Sequence, residues 1–156
     1  MSENQKVIDF WNAYLATLPS SHPHRLVPIP PAGSFGYGKE MGDELGKLVL
    51  EGIKKATCGR YLGENLLDYA GLAIVLDGRG EPLCLTESYE ITVRQYQDID
   101  EEWAQAEGEG DGSLQYWQEG HWEFFTEEAK LEGYTVSQDM LLKCERFRLI
   151  YPLSKT

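Results

Sequence analysis

The stretch from Gly71 to Tyr96, "GLAIVLDGRGEPLCLTESYEITVRQY", narrows the choice of fold more than any other part of the chain. "GLAIVL" is a short apolar run rich in branched side chains, and "DGRG" has turn chemistry. After Glu81 the residues alternate. Leu83, Leu85, Glu87, Tyr89, Ile91 and Val93 fall on one side, and mostly polar residues fall on the other. A period of two marks a half-buried strand. The expectation is two strands joined by a tight turn, with a sheet face that other elements must cover.

The remaining segments supply that cover. Val7, Phe10, Trp11, Tyr14, Leu15 and Leu18 recur at helical spacing up to Pro19, so an amphipathic helix is expected to pack Phe10, Trp11 and Tyr14 onto the sheet. "PSSHPHRLVPIPPAGSFGYG" reads as an irregular connector. A second helix is expected from about Lys39 to Gly52, with Met41, Leu45, Leu48 and Val49 on one face. Extending its wheel puts Lys54 opposite that stripe, so periodicity predicts an exposed lysine. A helix that stops at Gly52 would release Lys54 from the wheel. Thr57 is placed to open a strand.

Further on, Asp98 and Glu101 form a candidate capping box for a short helix to about Glu107, ended by glycines. Ser113 can cap a longer helix carrying Leu114, Trp117, Phe124, Phe125 and Ala129. "LLKCERFRLIYPL" reads as a closing strand ended by Pro152. The class is α+β. At 156 residues the expectation is one domain, with residues 1–34 as helix and connector and 35–152 as the core.

Charge limits the partners. Lys and Arg total 14 against 26 Asp and Glu, for a formal charge of −12. A protein that coats nucleic acid by charge is usually basic, so extended duplex binding is disfavoured, whereas a local pocket for a nucleoside or short RNA is not. The longest clean apolar run, Leu72 to Leu76, is too short for a membrane span. The start "MSENQKVIDFW" lacks the basic-then-apolar pattern of a signal peptide. Three widely spaced cysteines, Cys58, Cys84 and Cys144, argue against a disulfide framework and fit a reducing cytoplasm. With no CxxC or HExxH pattern, neither a metal nor a cofactor is expected. Oligomeric state is left open.

Four features sit where the pattern asks for something else. Glu107 shares a helix face with Ile99 and Trp103. It is either a desolvated carboxylate or the end of a frayed turn in water. Glu87 interrupts the apolar face of the long strand unless a bulge turns it outward. His121 lies in an aromatic stripe with Trp117, Phe124 and Phe125, as a core histidine or as an acid–base group. Lys54, Lys55 and Thr57 close a helix whose dipole alone justifies lysines there. A desolvated, neutral lysine beside a threonine is also a base and a nucleophile.

Three motifs carry a resemblance: Gly52, Lys54 and Thr57 of "GIKKAT"; the acidic and aromatic run "AQAEGEGDGSLQYWQEGHWEFF" from Ala104 to Phe125; and the closing "CERFRLIY". Together they resemble the ASCH domain family, of the larger bacterial type, over about Phe35 to Tyr151. That resemblance implies a PUA-like fold, a curved, mostly antiparallel sheet or barrel flanked by helices. Small bacterial members are amidohydrolases that remove the acetyl group of N(4)-acetylcytidine. Others are linked to RNA binding or RNA cleavage. By motif, the catalytic positions become Lys54, Thr57 and Glu107, the last through the A-x-x-E spacing from Ala104. Arg60, Glu87, Asp111, His121 and Arg146 are candidate substrate contacts. Thr57 would attack the amide carbonyl, a neutral Lys54 would move the proton, and Glu107 would orient the lysine or the cytosine edge. Backbone amides near Thr57–Gly59 are candidate oxyanion donors. The alternative is an RNA- or nucleotide-binding module, lined by Lys54, Arg60, Lys143, Arg146 and Arg148, or a ribonuclease using Lys54 with Glu107 or His121. The chain departs from the small members by its N-terminal helix, its longer acidic segment and the second lysine, Lys55.

Overall fold

The computed structural model describes residues 2–36, 38–63, 65–66 and 71–152. Tyr37, part of the expected connector, and Leu153, at the end of the expected closing strand, lie outside the described residues. Helix α1 spans Ser2–Leu15 and ends short of Pro19, the last stretch to Leu18 being turn. The connector contains a 3-10 turn, Pro23–Leu26, and a two-residue strand β1, Ala32–Gly33. Helix α2 (Gly38–Leu50) follows, then strands β2 (Ala56–Arg60), β3 (Leu72–Leu76) and β4 (Pro82–Gln95). Helices α3 (Glu101–Glu107) and α4 (Leu114–Glu132) precede the closing strand β5 (Leu141–Tyr151).

The architecture is the expected α+β one. The five strands form one sheet in the order β1-β3-β4-β5-β2, antiparallel except for the β1–β3 pair. Register shifts between Leu85 and Thr86 and between Ser88 and Glu90 curve β4 against β5. Strand β2 forms an outer edge, paired with β5 alone.

Helices cover both faces, and this corrects the simple alternation expected of β4. Cys84 and Leu85 are neighbours, yet both are fully buried. Cys84 packs with Val75, Phe147 and Val49 of α2. Leu85 packs on the other side with Leu72, Ile74 and with Trp11 and Tyr14 of α1. The second half of β4 lacks such cover, and Tyr89 and Val93 are exposed despite their apolar parity. The expected docking of α1 holds: Phe10 meets Tyr151 edge-on at 5.5 Å, and Tyr14 lies 5.4 Å from the same ring. A third cluster joins α3 and α4 to β2 and β5 through Trp103, Trp117, Phe125, Ala56, Leu142 and Cys144. Among the described residues no helix is long and apolar enough to cross a membrane.

Candidate functional site

The end of α2 decides where Lys54 points. The helix stops at Leu50, and Gly52 takes φ +78°, a left-handed value that glycine adopts without strain. The amides of Ile53 and Lys54 both donate to the Leu48 carbonyl, at 2.9 and 3.0 Å, so the chain folds back rather than continuing the spiral. The helical wheel no longer governs Lys54. It is only 2% exposed, which corrects the exposed position that periodicity predicts. Lys55 takes the outward position instead, its amide donating to the Ala106 carbonyl of α3 at 2.8 Å, and β2 begins at the next residue.

Helix α3 brings the carboxylates. Its N-cap is Asp100, whose side chain accepts from the Trp103 amide, in place of the expected Asp98–Glu101 box. A 3-10 turn over Tyr96–Asp98 takes up Asp98, two residues before the cap. Gly108 closes α3 at φ +68°, and a Cβ there would stand 2.4 Å from the Ile53 carbonyl oxygen. Only glycine lets this cap rest on the residue before Lys54. The contact delivers two carboxylates to one ammonium. Lys54 Nζ donates to Glu109 Oε2 at 2.8 Å, to Glu107 Oε1 at 3.2 Å and to the Ala56 carbonyl at 2.9 Å.

Glu107 is saturated with donors. Its Oε2 accepts the indole N–H groups of Trp103, at 2.8 Å, and of Trp117, at 2.7 Å. Its Oε1 faces both Lys54 and His121 Nε2, the latter at 3.4 Å. His121 stacks on Trp117 with ring centroids 4.2 Å apart, and its Nδ1 donates to the Trp117 carbonyl at 2.9 Å. Two oxygens with four donors exhaust the hydrogen-bonding capacity of a carboxylate.

Burial and pairing compete over each charge here, and pairing prevails. Burial alone would push Glu107 up, but Lys54, His121 and the indoles hold it far below the usual carboxylate range. Burial would pull Lys54 down, but Glu107 and Glu109 outweigh it and hold it above the ordinary lysine value. His121 is likewise raised, because Glu107 outweighs its desolvation. Cys58 is pushed well above the usual thiol value by burial and by Glu107. At rest the site holds an ammonium, an ionised buried carboxylate and a neutral thiol.

These groups line a cleft of about 340 Å³. Its walls include Lys54, Thr57, Cys58, Glu107, Glu109 and His121, with Phe35, Tyr116 and Phe124 as aromatic surfaces and Glu128 among them. The Thr57 hydroxyl makes no side-chain hydrogen bond among the described residues, so it is available to a ligand. Cys58 pairs with Cys144 across the β2–β5 ladder. The amide of Phe147 donates to the Lys55 carbonyl and that of Tyr61 to the Leu141 carbonyl, which makes Cys58–Cys144 a non-hydrogen-bonded pair. The Cys58 N–H therefore points away from β5, off the outer edge of the sheet.

Other residues singled out in the sequence lie elsewhere. Arg60 lies over the Tyr134 ring at 3.7 Å, with its Nε buried and without a hydrogen-bond partner among the described residues. Glu87 faces Arg148 at 3.6 Å. Asp111 accepts from the Ser113 amide at 2.9 Å and shapes the loop before α4, where Ser113 is the N-cap as expected. Arg146 pairs with Glu90 at 2.7 Å and Glu102 at 3.2 Å, over the Trp103 ring. None of these four borders the 340 Å³ cleft. Glu109 was missed. The signal that marks it is its place between Gly108 and Gly110, both at positive φ, which frees one carboxylate from the helix.

The donor atoms of Cys58, Glu107 and His121 lie within 4.8 Å of one another, a spacing compatible with a metal ion. The chemistry of the set fits poorly. The thiol is held protonated, and Glu107 already accepts from two indoles, an ammonium and an imidazole. A second cleft, of about 460 Å³, is lined by Lys55, Tyr89, Arg148 and apolar residues including Phe147 and Leu149, and borders Lys54 as well. Arg148 lies over the Tyr89 ring at 4.6 Å.

Comparison with known proteins places the fold. A family model described as "ASCH domain" matches residues 32–151. Among solved structures, the ASCH domain from Lactobacillus crispatus JV V101 superposes with a TM-score of 0.83 at 29% identity, covering 93% of this chain and 94% of that one. Protein EF3133 from Enterococcus faecalis V583 superposes with a TM-score of 0.80 at 34% identity, covering 94% and 88%. No curated protein matches the chain.

Proposed function

The chain belongs to the ASCH domain family, and from that premise we propose that it hydrolyses the amide of an acylated pyrimidine nucleoside such as N(4)-acetylcytidine. One observation carries the reading: Lys54 and Thr57, from the junction of α2 and β2, and Glu107, from the end of α3, border one cleft of nucleoside size with aromatic walls. A nucleophile without a side-chain hydrogen bond among the described residues, a buried ammonium and an edge-strand N–H are the parts that acyl transfer requires.

In this mechanism Thr57 Oγ1 attacks the acyl carbon and the exocyclic cytosine nitrogen leaves. The Lys54 ammonium and the Cys58 N–H serve as donors to the developing oxyanion. Glu107 is a fixed counter-charge that keeps Lys54 and His121 in place, since its own lone pairs are taken. A neutral resting Lys54 does not fit its two carboxylate partners. To accept the Thr57 proton, Lys54 must first give one up.

The test is release of cytidine from N(4)-acetylcytidine by purified protein, followed by chromatography. The expected result is turnover that falls by at least about 100-fold in Lys54→Ala. Thr57→Ser is expected to retain activity and Thr57→Val to lose it. Turnover no higher than that of Lys54→Ala would end the reading.

A second reading, binding of a short RNA or nucleotide, is supported by the cleft at Lys55, Tyr89 and Arg148, which combines cations with an aromatic face. Affinity for a short oligonucleotide that falls steeply with salt would favour it.

A further inference from the structure

Two carboxylates touch Lys54, and they differ in what they have left to offer. Glu107 is 1% exposed and its oxygens already receive Lys54, His121 and two indole N–H groups. A proton placed on it would displace one of those donors inside the core. Glu109 is 21% exposed, borders the cleft and meets Lys54 through Oε2 at 2.8 Å, the shorter of the two contacts. Glu109 accepts no second hydrogen bond among the described residues, and His121 is its other charged neighbour. Its backbone follows directly on the Gly108 cap, which rests on Ile53.

We infer that Glu109, and not Glu107, is the carboxylate through which Lys54 exchanges its proton. The inference rests on the amidohydrolase reading. The Lys54 ammonium passes one proton to Glu109 Oε2, giving an amine and a carboxylic acid. The amine takes the Thr57 hydroxyl proton as the Thr57 Oγ1–acyl carbon bond forms. Lys54 then gives that proton to the exocyclic nitrogen as the carbon–nitrogen bond breaks, leaving an acyl-Thr57 ester and a free aminopyrimidine. Water attacks the ester, one of its protons passes through Lys54 to Thr57 Oγ1, and the carboxylic acid departs. Glu109 returns its proton to Lys54. The sum is amide plus water giving carboxylic acid plus amine, with no other reactant.

The experiment measures kcat, KM and the pH profile of kcat on N(4)-acetylcytidine for the unaltered protein, Glu109→Gln and Glu109→Asp, with a thermal melt of each. The expected result is a fall in kcat of about 100-fold or more in Glu109→Gln, with KM within about threefold and the acidic limb of the profile lost. Glu109→Asp is expected to recover part of kcat and the limb. A melting point near that of the unaltered protein ties the loss to proton transfer. Glu109→Gln with kcat within about threefold, or with the acidic limb intact, overturns the inference while the amidohydrolase reading stands. No turnover by the unaltered protein overturns that reading, and this inference falls with it.

Discussion

Glu107 shows how one residue can be conspicuous in a sequence while its role is not. Its place on the face of Ile99 and Trp103 marks it as out of pattern, and it is buried, 1% exposed. Its partners were not legible, because Lys54 lies far along the chain and Trp117 approaches only when α4 packs on α3. Removing the carboxylate in Glu107→Ala leaves two indole N–H groups unpaired and Lys54 with one counter-charge. The expected cost is about 3 to 5 kcal/mol of unfolding free energy in a urea titration. A loss below about 1 kcal/mol would mean the network contributes little. His121 supplies a pH signature. Its folded value is raised above the free histidine value by Glu107. Its contribution to stability is therefore complete below about pH 6.5 and is lost as pH rises through the folded value. Melting points of the unaltered protein are expected to fall relative to His121→Gln between about pH 6.5 and the folded value of His121. Parallel curves over that range would contradict the assignment.

Elements were legible where local chemistry chose them, and less so where a neighbour did. Ser113 at the start of α4 was readable, since its side chain accepts from the Tyr116 amide three residues on. The wheel of α2 failed for Lys54 because Gly52 ends the spiral, and the parity of β4 failed because α1 and α2 bury Leu85 and Cys84 from opposite faces. The cap of α3 is the element on which the site depends. Gly108→Ala must both hold φ +68° and clear the Ile53 oxygen at 2.4 Å. Gly133→Ala at the end of α4 has φ +77° with nothing within 4 Å, so it isolates the backbone cost. Chemical denaturation is expected to give about 1 to 2 kcal/mol for Gly133→Ala and clearly more for Gly108→Ala. Equal costs would show that α3 moves off Ile53 without penalty, and Lys54 would then not owe its carboxylates to that contact.

The charge of the whole molecule bears on which ligand the cleft accepts. The chain carries −12, and the cleft itself sets Glu107, Glu109 and Glu128 against Lys54 and His121. Lys54 is spent on its two carboxylates, so it offers little to a phosphate. An uncharged acyl nucleoside meets no penalty on entry, whereas the same nucleoside with a 5′-phosphate approaches through a field of its own sign. At low ionic strength the phosphorylated substrate is expected to show a kcat/KM about tenfold lower than the nucleoside. The gap should narrow as salt rises toward about 1 M, where the screening length drops to about 3 Å. The cleft at Lys55 and Arg148 makes the opposite prediction, because a phosphate seated there would gain attraction that salt weakens. Measuring kcat/KM for the nucleoside and its monophosphate across a salt series therefore separates the two clefts. A phosphate that raises kcat/KM at low salt would move the ligand's backbone to the Tyr89 face, and a ratio indifferent to salt would remove the molecular field from the account of specificity.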